Sequence, residues 1–209
     1  MICIEECSQK LYYLTMTLAN KLTFLRIILA PVFFAVYMVP VPENFSKIWV
    51  VTVLWVIFLV SEITDLLDGI AARRHKQSSD FGKFFDPFAD TLMQLTCFLC
   101  FVISGLMPAW LFLIIMYREF AILFIRNLMQ KKGITMGARF SGKVKTTCYI
   151  GTSAFALAYN SLLRLGIFDC LSPTIGTVIG YSLLAVFYVS AVSSIVSFID
   201  YLLVYRKTA

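Results

Sequence analysis

Charge is scarce in this chain of 209 residues: Asp, Glu, Lys and Arg supply 14% of it, against 60% hydrophobic residues. That balance excludes an ordinary soluble globular protein. Histidine is scarcer still, with His75 alone. The pair Cys97-x2-Cys100, in LTCFLCF, therefore lacks the imidazole partners of a zinc site, and no second cysteine pair has metal spacing. The six cysteines (Cys3, Cys7, Cys97, Cys100, Cys148, Cys170) read as scattered small hydrophobes. Nothing in the sequence favours lipidation of Cys3 or Cys7. No small-residue cleavage site follows the first apolar run, so no cleaved signal peptide is expected. Low-complexity segments, internal repeats and soluble linkers are also missing. The formal charge of +6 comes from basic residues set between apolar runs rather than on a soluble basic face, which argues against a nucleic-acid partner.

What is present is a succession of apolar segments. Residues 8–19, SQKLYYLTMTLA, mix polar and apolar positions and fit a short interfacial helix. Span one runs from Leu22 to Val39 and stops at Pro40 and Pro42. Span two begins near Lys47, is apolar through Val60 and continues into Glu62, Asp65 and Asp68. Span three starts in the face from Gly82 to Asp90 and reaches about Leu106. Span four covers Ala109 to Met129, span five Thr146 to Leu163, and span six Ile175 to Leu203. Each has about the 20 residues a bilayer requires. The expected fold is all-α and integral to the membrane: one domain over residues 1–209, with residues 1–20 interfacial and 21–209 a bundle of six transmembrane helices around a cytoplasm-facing polar cavity.

The loops set the orientation. Arg73, Arg74, Lys76 and Lys83 lie between spans two and three, and Lys131, Lys132, Arg139, Lys143 and Lys145 between spans four and five. The other side holds only Lys47 and Arg164. Both termini are therefore expected on the cytoplasmic side of the inner membrane.

The stretch around which the chain is organised is DLLDGIAARRHKQSSDFGKFFDPFAD, from Asp65 to Asp90. Residues three and four apart on a helix share a face. Asp65 and Asp68 therefore point together, as do Gly82, Asp86 and Asp90. If Ala72 to Phe81 turns the chain back, the two pairs of acids converge. Unpaired acids at the edge of an apolar bundle are costly. Divalent cations remove that cost, and oxygen-only ligands favour magnesium, manganese or calcium.

The spacing Asp65-x2-Asp68-Gly69-x2-Ala72-Arg73-x8-Gly82-x3-Asp86-x3-Asp90 resembles the signature of the CDP-alcohol phosphotransferases, integral membrane enzymes that build phospholipid headgroup linkages. The resemblance runs from about Asn20 to Ile150. It implies two Mg2+ or Mn2+ ions, ~4 Å apart, held by Asp65, Asp68, Asp86 and Asp90. It also implies Asp90 as the general base for the acceptor hydroxyl, since a carboxylate of ordinary pKa, about 4, is ionised at neutral pH. Gly69 and Ala72 would let a nucleotide approach the helix backbone, although tight helix packing is the commoner use of such residues in membranes. Arg73 would pair with a phosphate. Ser79 and Gly82 would contact the CDP group, as would Asn20 and Thr23 at the start of span one, where a helix cap at Asn20 is the plainer reading.

Arg118 and Arg126, eight residues apart on span four, share a face, and Arg139, Lys143 and Lys145 stand at the start of span five. Cations at membrane depth need partners, and Glu119 cannot neutralise them all. An acceptor bearing a phosphate is their natural counter-ion. REF…R from Arg118 to Arg126, GKVKT from Gly142 to Thr146 and DPFAD from Asp86 to Asp90 are similar to phosphatidylglycerophosphate synthases within that family. The resemblance thus implies CDP-diacylglycerol and sn-glycerol 3-phosphate as substrates and CMP as the leaving group. Thr91 departs from the pattern, since those synthases usually carry lysine there. Inositol phosphate as acceptor, or CDP-choline with diacylglycerol, are the alternatives within the family. A divalent-cation transporter is the alternative from another class, and it would need its acids near the bilayer midplane. Family members are commonly homodimers, and Gly176-x3-Gly180 offers either a dimer face or an intramolecular packing face.

Overall fold

The structure, a computed structural model, describes residues 21–40, 46–74, 80–131, 140–170 and 172–208. The expected interfacial helix lies outside the described residues. Those described are helical, with no strand among them: α1 (Lys21–Met38), α2 (Ser46–Arg74), α3 (Asp80–Ile103), α4 (Ala109–Lys131), α5 (Phe140–Arg164) and α6 (Pro173–Thr208), with a 3-10 turn at Ile167–Cys170.

Each helix sorts its faces by spacing. On α1, Thr23, Arg26, Ala30, Phe33 and Tyr37 are buried at intervals of three and four, while Phe24, Ile28 and Val32 are exposed. On α2, Leu54, Ile57, Phe58, Ser61 and Thr64 point inward. Ile48, Val53, Val56, Leu59 and Ile63 lie outward, 39–65% exposed. A soluble monomer rarely leaves such an apolar surface bare. Among the described residues, four stretches are long and apolar enough to cross a membrane: Lys21–Met38, Lys47–Leu66, Phe85–Ile103 and Thr174–Arg206. Helices α4 and α5 have the length, at 23 and 25 residues. They fall short in composition, because α4 carries Arg118, Glu119 and Arg126 and α5 buries Thr152, Ser153, Asn160 and Ser161.

Lipid tails are as apolar as leucine, so burial alone does little to drive helices together in a bilayer; packing and hydrogen bonds must. The core supplies both. Phe98 meets Tyr149 edge-on at 5.3 Å and Phe187 at 6.3 Å, and Phe101 meets Tyr37 at 6.2 Å. Such ring pairs contribute ~0.5–1.5 kcal/mol each beyond area. On α6, Ser190, Ser194 and Ser197 fall at i, i+4 and i+7 and are fully buried. Tyr149 donates to Ser194 at 2.7 Å, and the Thr152 and Ser190 hydroxyls meet at 2.6 Å. This row of hydroxyls ties α5 to α6.

Gly105 (φ 70°) ends α3 in the left-handed region. There the Leu106 N–H reaches the Phe101 carbonyl at 2.9 Å and the Gly105 N–H the Val102 carbonyl at 2.9 Å, which closes the helix. A Cβ on Gly176 would lie 3.5 Å from Phe168, and one on Gly180 3.5 Å from the Tyr159 hydroxyl. These two glycines thus stand beside the 3-10 turn and the end of α5, where they line a cavity with Tyr159 and Phe168.

Candidate active site

At 29 residues, α2 is ~44 Å long, well beyond a hydrocarbon core of ~30 Å. The apolar stretch Lys47–Leu66 ends one residue after Asp65, and the helix runs on beyond it to Arg74. Helix α3 returns from Asp80 and carries Asp86 and Asp90 one turn apart. Asp65, Asp86 and Asp90 line one cavity of about 840 Å3. Glu62 joins them there, while α4 and α5 contribute Arg118, Glu119, Arg126, Lys143 and Lys145. Acids from α2 and α3 thus form one wall and mainly basic residues from α4 and α5 the other.

The first helix braces the acidic wall. Arg26, 1% exposed, donates from Nη1 to Asp65 Oδ1 at 2.6 Å. The Thr23 hydroxyl donates to Asp86 Oδ1. Thr23, expected near a CDP group, is therefore engaged with a carboxylate of the same site. Arg26 was not singled out from sequence. Its signal was available, because a cation one turn after Thr23 inside an apolar span requires an acid somewhere.

On the other wall, Glu119 Oε1 accepts from Arg118 Nη1 at 2.8 Å and from Lys145 Nζ at 2.8 Å. All three side chains are buried, no more than 10% exposed. Arg118 also donates from Nε to the Ser194 carbonyl at 3.2 Å and from Nη2 to Ser197 Oγ at 2.7 Å. Most of its fork is consumed inside the protein, so it fixes the wall more than it reaches into the cavity. Arg126 donates to the Tyr201 hydroxyl at 2.9 Å, with its guanidinium carbon 5.4 Å from that ring. Its buried Nε has no hydrogen-bond partner among the described residues. Ser141 donates to Asp200, which ties the start of α5 to the end of α6. A Cβ on Gly142 would come within 3.3 Å of the Tyr201 hydroxyl, so this glycine keeps the tyrosine in place. Tyr201 was another residue the sequence did not announce.

Of Asp68, Gly69, Ala72, Arg73 and Gly82, only the helical backbone is described, on α2 and α3; Asn20, Ser79 and Arg139 lie outside the described residues. Among the described residues, no three carboxylates, thiols or imidazoles stand close enough to share an ion. The donors that line the acidic wall, the carboxylates of Glu62, Asp65, Asp86 and Asp90 and the Thr91 hydroxyl, are nevertheless all oxygens, the chemistry that suits magnesium or manganese.

The family profile described as CDP-alcohol phosphatidyltransferase matches residues 16–203, which takes in every element lining the cavity. The CDP-diacylglycerol--glycerol-3-phosphate 3-phosphatidyltransferase of Treponema pallidum (strain Nichols) is 39% identical over 155 residues, 70% of this chain and 71% of that protein. Its namesake in Bacillus subtilis (strain 168) is 31% identical over 149 residues, 68% of this chain and 77% of that protein. That of Salmonella paratyphi A is 31% identical over 186 residues, 87% of this chain and 90% of that protein. Aspartates at the spacing of Asp65 to Asp90, on helices that bring three of them to one cavity, accord with a match of that extent: the chain belongs to the CDP-alcohol phosphatidyltransferase family.

Proposed function

We propose that this protein is a phosphatidylglycerophosphate synthase, a multi-pass membrane enzyme that transfers the phosphatidyl group of CDP-diacylglycerol to sn-glycerol 3-phosphate. The observation that carries the reading is the divided cavity, with carboxylates on α2 and α3 facing cations on α4 and α5. A pyrophosphate-linked donor and a phosphate-bearing acceptor are both anionic. The basic wall suits the acceptor directly, whereas the acidic wall suits the donor only with divalent cations between them.

Asp65, Asp86 and Asp90, together with Asp68, would hold two Mg2+ or Mn2+ ions. When bound, such ions neutralise phosphate charge and stabilise the departing oxygen. The remaining work belongs to the chain. Arg26 and Thr23 hold the Asp65 and Asp86 carboxylates from behind. Arg73 pairs with a donor phosphate, and Asn20, Gly69, Ala72, Ser79 and Gly82 frame the cytidine nucleotide. Arg126, Lys143 and Lys145, with Arg139, receive the acceptor phosphate, while Arg118 and Glu119 fix Lys145. Asp90 takes the proton from the acceptor C1 hydroxyl as its oxygen bonds to the phosphorus that carries diacylglycerol. The bond from that phosphorus to the bridging oxygen breaks, and CMP leaves with the electron pair. Phosphoryl transfer leaves a protein little covalent chemistry, so positioning and charge carry most of the rate.

Helices α4 and α5 complete a bundle of six spans, their buried polar residues turned to the cavity or to neighbouring helices rather than to lipid. The basic loops put this cavity and both termini on the cytoplasmic side of the inner membrane, where CMP is released into water. A transport pathway would need acids near the midplane, whereas Asp65 lies in the last turns of α2 and Asp86 in the first turns of α3. A homodimer is part of the proposal.

The test supplies purified protein with CDP-diacylglycerol, magnesium and one radiolabelled acceptor at a time: sn-glycerol 3-phosphate, inositol phosphate, serine or choline. Labelled phosphatidylglycerophosphate with stoichiometric CMP is the expected product, formed from sn-glycerol 3-phosphate alone. Turnover with inositol phosphate in its place would retain the reaction class and overturn the acceptor.

A further inference from the structure

The far end of the bundle holds a second polar cavity that the chemistry above does not use. It measures about 400 Å3 and is lined by Tyr37, Pro40, Lys47, Ser104 and Arg164 among others. These residues end α1, α3 and α5 and begin α2, whereas the acidic cavity lies at their opposite termini. From Lys145 to Arg164 along α5 is ~28 Å, close to the thickness of a hydrocarbon core. The only two basic residues on this side of the bundle, Lys47 and Arg164, therefore meet at one cavity.

Neither has an anionic partner among the described residues. Arg164 donates from Nε to Asn160 Oδ1 at 2.7 Å and from Nη2 to the Tyr37 carbonyl at 2.6 Å. Its guanidinium carbon also stands 4.8 Å from the Tyr37 ring centroid. Oxygen dipoles and a ring orient the guanidinium, and among the described residues no carboxylate compensates its charge. The Ser104 hydroxyl, bonded to that of Tyr37 at 2.8 Å, adds a polar floor. Depth identifies the ligand. Trp49 and Trp110, 59% and 51% exposed, stand in the first turns of α2 and α4 at this same end. Exposed tryptophans at helix ends mark the level of lipid headgroups. A pair of cations at that level, converging on a half-polar cavity, faces phosphodiesters rather than bulk solution.

We propose that this cavity binds the phosphate of an anionic glycerophospholipid in the leaflet opposite the acidic cavity, held between Lys47 and Arg164. The bound lipid clamps the ends of α1, α2, α3 and α5 together. The inference needs the helix ends to lie in the headgroup layer and is independent of the transferase chemistry, since its readout is lipid retention and not CMP release.

Native mass spectrometry of the purified protein in detergent micelles, titrated with dioleoyl phosphatidylglycerol, tests it. Lys47→Ala is the decisive variant, because among the described residues the lysine makes no ion pair that folding would miss. Retention of the anionic lipid is expected to weaken about fivefold in that variant, the weight of one lysine near an anionic headgroup. Arg164→Gln should weaken it at least as much if it folds; should it not fold, Lys47→Ala decides alone. Dioleoyl phosphatidylcholine should show no dependence on Lys47, and inorganic phosphate at ~1 mM should not displace the lipid, a lone phosphate lacking the acyl chains whose burial adds to the affinity. Equal retention of phosphatidylglycerol by wild type and Lys47→Ala would overturn the proposal. So would an equal Lys47 dependence for the zwitterionic lipid, or displacement by inorganic phosphate.

Discussion

Glu119 gives the sharpest test of how the basic wall is built. Its one Oε1 atom accepts from both Arg118 and Lys145 at 2.8 Å, and all three side chains are buried. Glu119→Gln keeps the shape and removes the charge. Two buried cations then face an amide, and Arg118 retains only Ser194 and Ser197. Breaking a buried ion pair on one side costs ~3–5 kcal/mol, because the remaining charge stays desolvated. At about 2–4 °C per kcal/mol for a chain of this size, the midpoint of thermal unfolding in detergent should fall by roughly 6–20 °C. The second variant makes the test diagnostic. Adding Lys145→Met to Glu119→Gln removes one orphaned cation and should recover about half of the loss, a coupling within the ~0.5–3 kcal/mol range of contacting groups. A Glu119→Gln midpoint within 2 °C of wild type, or losses that simply add in the double variant, would refute a buried network held by the charge of Glu119.

Two further outcomes follow from the cavity. Asp90→Asn should bind CDP-diacylglycerol as wild type does while turnover drops by a factor of about 10²–10⁴, the usual weight of a general base; near-normal turnover, measured as CMP release, would remove Asp90 from that role. Tyr201→Phe removes the hydroxyl that holds Arg126 at 2.9 Å and should raise the acceptor KM about tenfold with little change in kcat, as expected of a lost hydrogen bond to a charged group; Gly142→Val, whose Cβ would fall 3.3 Å from the same hydroxyl, should act in the same direction, and an effect on kcat alone in either would argue against an acceptor site there.

Much of this site was legible in the sequence because helical spacing is local. The intervals Asp65 to Asp68 and Asp86 to Asp90 name shared faces before any fold is known, and Asp65, Asp86 and Asp90 do line one cavity. Hydropathy located the spans less exactly than the helices. Helix α5 begins at Phe140, six residues before the apolar run at Thr146, since intrahelical hydrogen bonds continue through polar turns such as Ser141 to Lys145. The long-range pairings were not legible. Arg26 meets Asp65 across 39 positions, and Arg118 meets Ser197 across 79. Nor do the serines of α6 betray themselves, because Ser190, Ser194 and Ser197 look like polar interruptions of an apolar helix until α4 and α5 pack on them. Local pattern can say that a cation in a span needs an acid, but only the packed bundle says which one.

The claim on which the rest depends is that the aspartates of α2 and α3 hold divalent metal. Electron paramagnetic resonance of Mn2+ titrated into purified protein measures this directly, without turnover. Two ions bound per chain are predicted, with occupancy reduced in Asp65→Asn and Asp86→Asn and restored to neither by glycerol 3-phosphate. Manganese binding that is absent from the wild type, or indifferent to substitution of all four aspartates, would contradict the account.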